Sequence, residues 1–275
     1  MFNPLEHPVS LREPKRLTQS AWAENVPFGM LLVELLAPKL LIELGTKRGV
    51  SYCCFCQAVV ELGLPTRCYA VDLWPDDGAE GSYEDFYEEL KTYHDTLYGR
   101  FSELLKMSFD DALPRYDHGS IDLLHIDGLH SYDAARHDFD TWLPKLSSRG
   151  VVLLHDTVVR SEGFGVWRLL EELQQLYPTF NLELGSGLGV VAVVDDAGPL
   201  LPFFEMGNDE RSRVEDLYRQ LGERLVQRQE LREQERRLRK AEKTSIELER
   251  IRASRSYRAM EPARKAYAQL RRLAS

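Results

Sequence analysis

The 275-residue sequence lacks the features that mark secreted, disulfide-bonded and membrane-spanning proteins. It contains no run of about 18 apolar residues, the length that a membrane-spanning helix needs. Pro4, Pro8 and Pro14 stand where a signal peptide would have an apolar core. The four cysteines have no paired metal-binding spacing, so we interpret them as small buried hydrophobic residues in a reducing compartment. We therefore expect a cytoplasmic protein.

Acidic and basic residues are unevenly distributed along the chain. Residues 1–208 carry 16 Lys and Arg against 32 Asp and Glu, a net charge of −16, whereas residues 209–275 carry 19 against 12, a net charge of +7. The two parts therefore face different partners. We divide the chain into an N-terminal arm with a lid or packing helix (1–39), a central α/β domain (40–205), a coiled coil (209–250) and a basic amphipathic tail (251–275).

Residues 40–51 predict a buried parallel strand, a tight loop and the start of a helix. In an open α/β sheet this is where a nucleotide-like ligand binds. The spacing Glu-x-Gly-x-x-x-Gly-x-Ser has too few glycines for a diphosphate and places an acid before the turn. A sulfonium cofactor with a ribose and an amino-acid part suits it better, because Gly45 and Gly49 admit the ligand close to the backbone and Glu43 can meet a cationic amine.

Alternating strand and helix patterns continue after this loop. We expect further strands at 67–71, 103–107, 121–126 and 151–154, and a closing hairpin at 180–184 and 190–194. Helical patterns cover 22–36, 50–62, 131–146 and 165–177. This order predicts a mostly parallel sheet with an antiparallel last strand.

Three residues near predicted strand ends are candidates for cofactor binding. Asp72 ends the second strand, where a carboxylate can accept both ribose hydroxyls, although a helix cap or a solvated acid would look the same. Trp74 is expected on a cofactor-facing or substrate-facing wall. Ser108 either meets the adenine edge or caps the short helix that it opens.

The fourth and fifth predicted parallel strands both end in an aspartate with a histidine nearby. If the two strands are neighbours, Asp127 and Asp156 meet at one sheet edge and offer oxygen ligands to a divalent cation such as Mg²⁺. One of His130 and His155 would be a third ligand, and we assign His155. His130 is our candidate general base, because histidine titrates near neutral pH. A supporting or helix-capping role is the alternative for His130.

Several motifs together resemble one enzyme family. They are residues 43–51, 72–74, 122–133, Asp138, 143–144, Gly150, 154–157 and 164–166. Over residues 40–194 the chain resembles class I S-adenosylmethionine-dependent methyltransferases, and most closely the subgroup of macrolide-sugar and polysaccharide O-methyltransferases and cephalosporin-hydroxylase-like proteins.

The resemblance implies a fold, a cofactor and site residues. The fold is a Rossmann-like seven-stranded sheet. Glu43, Gly45, Thr46 and Gly49 would surround the methionine part of S-adenosylmethionine, with Asp72 on its ribose, and we add Ser51, Ser108, Trp74 and Asp127 as cofactor-binding residues. Members that bind magnesium hold it with acids that match Asp127 and Asp156. Thr157 stands here where those relatives often carry a further acid or asparagine.

The C-terminal part predicts assembly. Val214, Leu217, Leu221, Leu231 and Leu238 share a heptad frame that Arg224, Arg228 and Glu235 interrupt, so we expect a long helix in an imperfect homo-oligomeric coiled coil. The basic tail is expected to dock on the inner face of the plasma membrane or on a glycosyltransferase complex. Residues 253–264 resemble the tails that follow coiled coils in bacterial surface-polysaccharide enzymes. Nothing indicates a nucleic-acid-binding module.

The function that these features predict is O-methylation of a sugar hydroxyl at the end of an O-antigen or related polysaccharide. Methylation of a small-molecule natural product is the first alternative. The second is a non-catalytic coiled-coil subunit of a glycan-synthesis complex.

Overall fold

The computed structural model describes residues 3–75, 83–194, 198–254, 260, 262 and 263. The chain forms two compact units, Met1–Val226 and Gln227–Ser275. Within the described residues, every helix is too short or too polar to cross a lipid bilayer.

Helices and strands alternate through the first unit. The strands are β1 (Leu40–Leu44), β2 (Arg67–Asp72), β3 (Ser102–Lys106), β4 (Ile121–Ile126), β5 (Leu146–His155), β6 (Thr179–Leu182) and β7 (Leu188–Ala192). The helices are α1 (Val26–Leu36), α2 (Val50–Leu62), α3 (Tyr83–Leu97), α4 (Phe109–Ala112), α5 (Tyr132–Trp142), α6 (Val166–Leu173), α7 (Leu201–Glu205) and α8 (Asn208–Ala253).

The seven strands form one sheet in the order β3-β2-β1-β4-β5-β7-β6. The pairs from β3 through β5 are parallel, and β7 is antiparallel to both β5 and β6. The predicted seven-stranded, mostly parallel fold with an antiparallel last strand is therefore confirmed. Because β2 and β4 lie on opposite sides of β1, the strand order reverses between β1 and β4, where such sheets bind ligands.

Apolar residues fill both faces of the sheet. Along β4 and β5, Leu123 and Val151 belong to one buried cluster, whereas Leu124 and Val152 belong to the other. Successive strand residues point to opposite faces, so helices cover the sheet on both sides. All four cysteines are buried and none forms a disulfide, in agreement with their interpretation as small buried hydrophobic residues.

Several element boundaries differ from the predicted ones. Helix α1 starts at Val26 and not at residue 22, because Pro27 belongs in a first turn and 22–25 form a tighter turn. Strand β3 starts and ends one residue earlier than predicted. Strand β5 contains Gly150 instead of following it, since a register irregularity lets the strand continue beside β4.

The N-terminal arm and the start of α8 are part of the first unit's core. Val9 and Trp22 of the arm are buried, and so are Tyr218 and Leu225 of α8. The Tyr218 ring packs edge-on against Phe28 of α1, with 5.1 Å between ring centroids. The first part of the predicted coiled-coil segment 209–250 therefore packs within the first unit.

The second unit contains the remainder of α8. Its side chains are largely exposed, including Leu231 and Leu238 at 60% and 70%. Of the predicted basic tail, residues 255–259, 261 and 264–275 lie outside the described residues.

Two leucines of α8 offer a matched test of this division. Leu225→Ala should lower the free energy of unfolding of the first unit by about 2–4 kcal/mol, because it empties space in a packed core. Leu238→Ala, at an exposed position, should change it by less than about 0.5 kcal/mol. Tryptophan fluorescence during denaturation measures both, since all four tryptophans lie in the first unit. Equal effects would contradict the boundary at Val226.

Candidate active site

A cavity of about 780 Å³ opens at the carboxyl edge of the sheet, beside β1 and β4. Its size suits a cofactor-sized ligand. Its walls come from residues 19–22 of the arm, 45–51 after β1, 72, 73 and 75 at the end of β2, 108–110 after β3, 127–130 after β4, 134, 137 and 138 of α5, and 155 and 156 at the end of β5. Most of the predicted site residues are thus brought together, whereas Glu43 and Trp74 are not among the described wall residues.

Gly45 joins the loop after β1 to the loop after β4. Its φ of +88° lies in the left-handed region, and a Cβ atom there would collide with the carbonyl oxygen of Asp127. Only glycine satisfies both conditions. The turn that was predicted to admit a ligand also admits the Asp127–Gly128 peptide.

Glu43 is fully buried in β1, where its Oε2 accepts a hydrogen bond from Nδ1 of His125 at 2.8 Å. His125 is the neighbour of Glu43 in the β1/β4 register. The other oxygen, Oε1, has no hydrogen-bond partner among the described residues. The nearby Thr46 Oγ1, on the cavity wall, is also buried without a described partner. Buried polar atoms of this kind are normally satisfied, so both oxygens are candidates for contact with a ligand group.

Asp72 lines the cavity and also ties down the loop after β1. Its Oδ2 accepts hydrogen bonds from the backbone N–H groups of Thr46 and Lys47, both at 2.8 Å. A carboxylate has four acceptor positions, so capacity for ribose hydroxyls remains. The side chain of Trp74 is buried behind the same loop and donates its indole N–H to the Lys47 carbonyl at 2.8 Å.

The two serines predicted at the cofactor both line the cavity. Ser51 is buried in the first turn of α2. Ser108 caps α4, since its hydroxyl accepts a hydrogen bond from the Asp111 N–H at 3.1 Å. Ser108 is therefore a helix cap. Because it also lies on the cavity wall, its contact with adenine stays a prediction.

The predicted catalytic residues form one cluster. Nδ1 of His130 lies 2.9 Å from Oδ2 of Asp156, and Nδ1 of His155 lies 3.1 Å from Oδ1 of Asp127 and 3.5 Å from Oδ1 of Asp156. His130 also stacks face to face on Phe164, with ring centroids 4.8 Å apart. Asp156 itself has a φ of +61°, which is unusual for an aspartate and marks a functional or constrained position.

The two histidines compensate the charge of the two carboxylates. Burial disfavours a charged His155, but Asp127 and Asp156 outweigh it and raise the pKa of His155 to about 10. The hydrogen bond to Asp156 likewise raises the pKa of His130. Burial opposes ionisation of Asp156, yet its hydrogen bonds with His130 and His155 hold the pKa of its carboxyl below the usual range.

Three side chains are close enough to hold a metal ion. Ligand atoms of Asp127, His130 and Asp156 lie within 4.8 Å of one another. The group contains His130 instead of the predicted His155, and Thr157 is directed elsewhere, donating to Asn181 at 2.7 Å. Two carboxylates and an imidazole fit a divalent cation, although the ring nitrogen is less typical of Mg²⁺ than a further oxygen would be.

One wall residue of α5, Asp138, has no role predicted from the sequence. Asp138 is 7% exposed, has no hydrogen bond or ion pair among the described residues, and lies beside Gly128. Burial raises the pKa of Asp138 to about 6. Two signals in the sequence pointed to Asp138. It belongs to the motifs that resemble the methyltransferase family, and it is an acid on the buried face of an amphipathic helix, where a charged group costs free energy unless it has a partner or a function.

Residues 42–157 match a protein family described as a methyltransferase domain. Over 173 residues the chain is 48% identical to an uncharacterized protein, y4gI, of Sinorhizobium fredii, a match covering 62% of this chain and 19% of that protein. The chain thus spans about a fifth of the curated relative that it matches.

The likeness of this chain to solved methyltransferase structures is weaker than its likeness to y4gI. A putative caffeoyl-CoA O-methyltransferase from Staphylococcus aureus is 17% identical, with a TM-score of 0.49, over 68% of this chain and 90% of that chain. The S-adenosylhomocysteine-bound methyltransferase PaMTH1 of Podospora anserina is 14% identical, with a TM-score of 0.48, over 61% of this chain and 77% of that chain. Likeness of this degree says nothing of substrate.

Asp138→Asn should stabilise the protein in a pH-dependent way. The carboxyl ionises near pH 4 in an unfolded chain but near pH 6 in the fold, so its ionisation costs stability increasingly as the pH rises from 4 to 6. Removing that charge should add about 1–3 kcal/mol to the free energy of unfolding at pH 8 and nothing at pH 3. Thermal unfolding across this range measures it. Asp140→Asn, an exposed position on the same helix, is the control, and an equal gain there would refute the burial argument.

Proposed function

We propose that this chain is an S-adenosylmethionine-dependent O-methyltransferase. The observation that carries the proposal is that one cavity contains both the glycine turn after β1 and the His130–Asp156 pair. The first suits a nucleoside-like methyl donor, and the second suits removal of a hydroxyl proton. The match of residues 42–157 to a methyltransferase domain supports the same activity.

The donor would occupy the β1 side of the cavity. The unsatisfied oxygens of Glu43 and Thr46 suit the amino-acid part of S-adenosylmethionine, and Asp72 suits the ribose. Asp138 and Ser108 lie on the wall of the same cavity. They suit the adenine of the donor, because its amino group can donate a hydrogen bond and its ring nitrogens can accept one. These assignments follow from the donor and acceptor character of each group.

His130 would act as the general base. With its Nδ1 hydrogen-bonded to Asp156, the ring is held in the tautomer whose Nε2 accepts a proton. The acceptor oxygen attacks the methyl carbon of the sulfonium, the carbon–sulfur bond breaks to leave a neutral thioether, and the hydroxyl proton passes to Nε2. Positioning of the two reactants in one cavity supplies much of the rate.

A divalent cation is a separate part of the proposal. Asp127 and Asp156, with His130, would hold it, and a bound cation would lower the pKa of the acceptor hydroxyl. A cation bound through Nδ1 of His130 would displace Asp156, and one bound through Nε2 would occupy the nitrogen that accepts the proton, so His130 cannot be both a metal ligand and the general base in this arrangement. A chelator therefore distinguishes the two arrangements.

The proposed acceptor is a sugar hydroxyl of a bacterial surface polysaccharide. Support comes from the resemblance to sugar and polysaccharide O-methyltransferases and from the tail motif at 253–264. A small-molecule natural product is the alternative acceptor. We further propose that the protein is cytoplasmic, with its basic tail docked at the inner membrane face or on a glycan-synthesis complex.

Replacing His130 tests the chemistry. His130→Asn should leave the dissociation constant of S-adenosylmethionine unchanged in calorimetry and reduce the rate of methyl transfer about 10²–10⁴-fold. His118→Asn, at an exposed histidine outside the cavity, is the matched control. Transfer of a labelled methyl group to candidate glycans, read by mass spectrometry, gives the rate with and without chelator. If the wild-type chain binds no S-adenosylmethionine, a non-catalytic assembly subunit replaces this proposal.

Truncation tests the proposed oligomer. A chain ending at Val226 should keep S-adenosylmethionine affinity and thermal stability, because the first unit contains the complete described cavity wall. Its mass by light scattering should fall to that of a monomer, whereas the full chain should form an oligomer through residues 227–253. A monomeric full-length chain would remove the coiled-coil assembly.

A further inference from the structure

A hydrogen-bonded chain of three buried side chains connects the N-terminal arm to the end of β1. The indole N–H of Trp22 donates to Nε2 of His125 at 3.2 Å, and Nδ1 of His125 lies 2.8 Å from Oε2 of Glu43. All three side chains are at most 1% exposed. They come from the arm, from β4 and from β1, so only the folded chain assembles them.

Trp22 determines the direction of the chain. An indole nitrogen can only donate a hydrogen bond, so Nε2 of His125 must be the acceptor and carries no proton. The proton of the neutral ring is therefore on Nδ1, which donates to the Glu43 carboxylate. Trp22 thus determines, through His125, which ring nitrogen donates to Glu43.

The Glu43 carboxylate is left half satisfied. His125 donates to one oxygen, whereas Oε1 has no partner among the described residues. Glu43 lies two residues before Gly45, which is on the wall of the proposed donor cavity, whereas Glu43 itself is buried next to that wall and is not among its described residues. A buried carboxylate in these surroundings acts strongly on a nearby positive charge, because the local dielectric constant is low.

Packing fixes the position of Trp22. Its ring fills the space that Gly29 of α1 leaves free, where a Cβ would collide with the indole, and it packs edge-on against Phe55 at 5.3 Å. Two residues along the arm, the backbone of Glu24 is in tight contact with Gly222 of α8. Residues 19–22 also form part of the cavity wall.

We propose that Trp22 and His125 are positioning residues of the donor site. They hold the Glu43 carboxylate in one orientation, so that it attracts the ammonium group of the donor's amino-acid part. The N-terminal arm is then a component of the donor site and not an appendage. This inference rests on the proposed methyl-donor binding.

Two ligands that differ only in the amino-acid part test the inference. S-adenosylhomocysteine carries the ammonium group, whereas 5′-methylthioadenosine shares its adenine, ribose and thioether but lacks that group. Trp22→Phe removes the indole N–H and keeps an aromatic ring. We expect it to weaken S-adenosylhomocysteine binding about 5–10-fold in calorimetry and to change 5′-methylthioadenosine binding less than about 2-fold.

Trp142→Phe is the matched control. Trp142 is equally buried, but its indole nitrogen has no partner among the described residues and it is outside the cavity wall. Its replacement should affect neither ligand. An equal loss for both ligands with Trp22→Phe, or no loss for either, overturns the inference. Failure of the wild-type chain to bind either ligand instead refutes the proposed function.

His125 provides a second pair of variants if Trp22→Phe does not fold. His125→Asn keeps a side-chain N–H donor, whereas His125→Leu has none, so Asn should retain more S-adenosylhomocysteine affinity than Leu. Equal losses would overturn the inference. In the ¹⁵N-labelled wild-type chain, the Trp22 indole resonance should shift on adding S-adenosylhomocysteine more than on adding 5′-methylthioadenosine, and identical shifts would contradict the coupling.

Discussion

The candidate site depends on one close contact, between Gly45 and the Asp127–Gly128 peptide. The contact excludes any side chain at residue 45 and brings together the loops after β1 and β4. Backbone hydrogen bonds extend the sheet to this point, since Gly45 N–H donates to Val71 and Asp127 N–H donates to Leu44, at 2.9 and 2.8 Å. The proposed donor loop and the acid-bearing loop are therefore parts of one rigid edge, which favours precise placement of two reactants.

Charge compensation is the second constraint on this edge. Asp127 and Asp156 share His155 beneath them, and Asp156 has His130 beside it. Two carboxylates close together would otherwise repel each other and take up a proton. Because His155 already supplies positive charge and Nδ1 of His130 is hydrogen-bonded to Asp156, an added cation would have to compete with these two contacts. Whether the site needs a metal thus depends on whether a cation or the two histidines compensate the charge of Asp127 and Asp156.

The sheet and most of the cavity were predictable because their signals are local. Apolar runs that are followed by an acid predict the buried strands that lead to Asp72, Asp127 and Asp156. Parallel pairing then places the ends of these strands on one edge of the sheet. The details that escaped prediction depend on contacts distant in sequence. Trp74 donates to the loop after β1, 27 residues earlier, and Trp22 donates to a histidine 103 residues away, and no periodicity of the sequence encodes either contact.

One readable signal for the arm did exist, in the composition of the central strands. Strands β1 and β4 are apolar except for Glu43 and His125 in their buried interiors and Asp122 near the start of β4. A buried charge needs a partner, and parallel register makes those two residues neighbours. The remaining nitrogen of His125 then requires a donor from outside the sheet, and the arm supplies Trp22. Together with the packing of α8 on the same core, this makes Met1–Val226 the physical unit of the site, because a fragment limited to 40–205 would lack both the indole donor and the helix that covers the core.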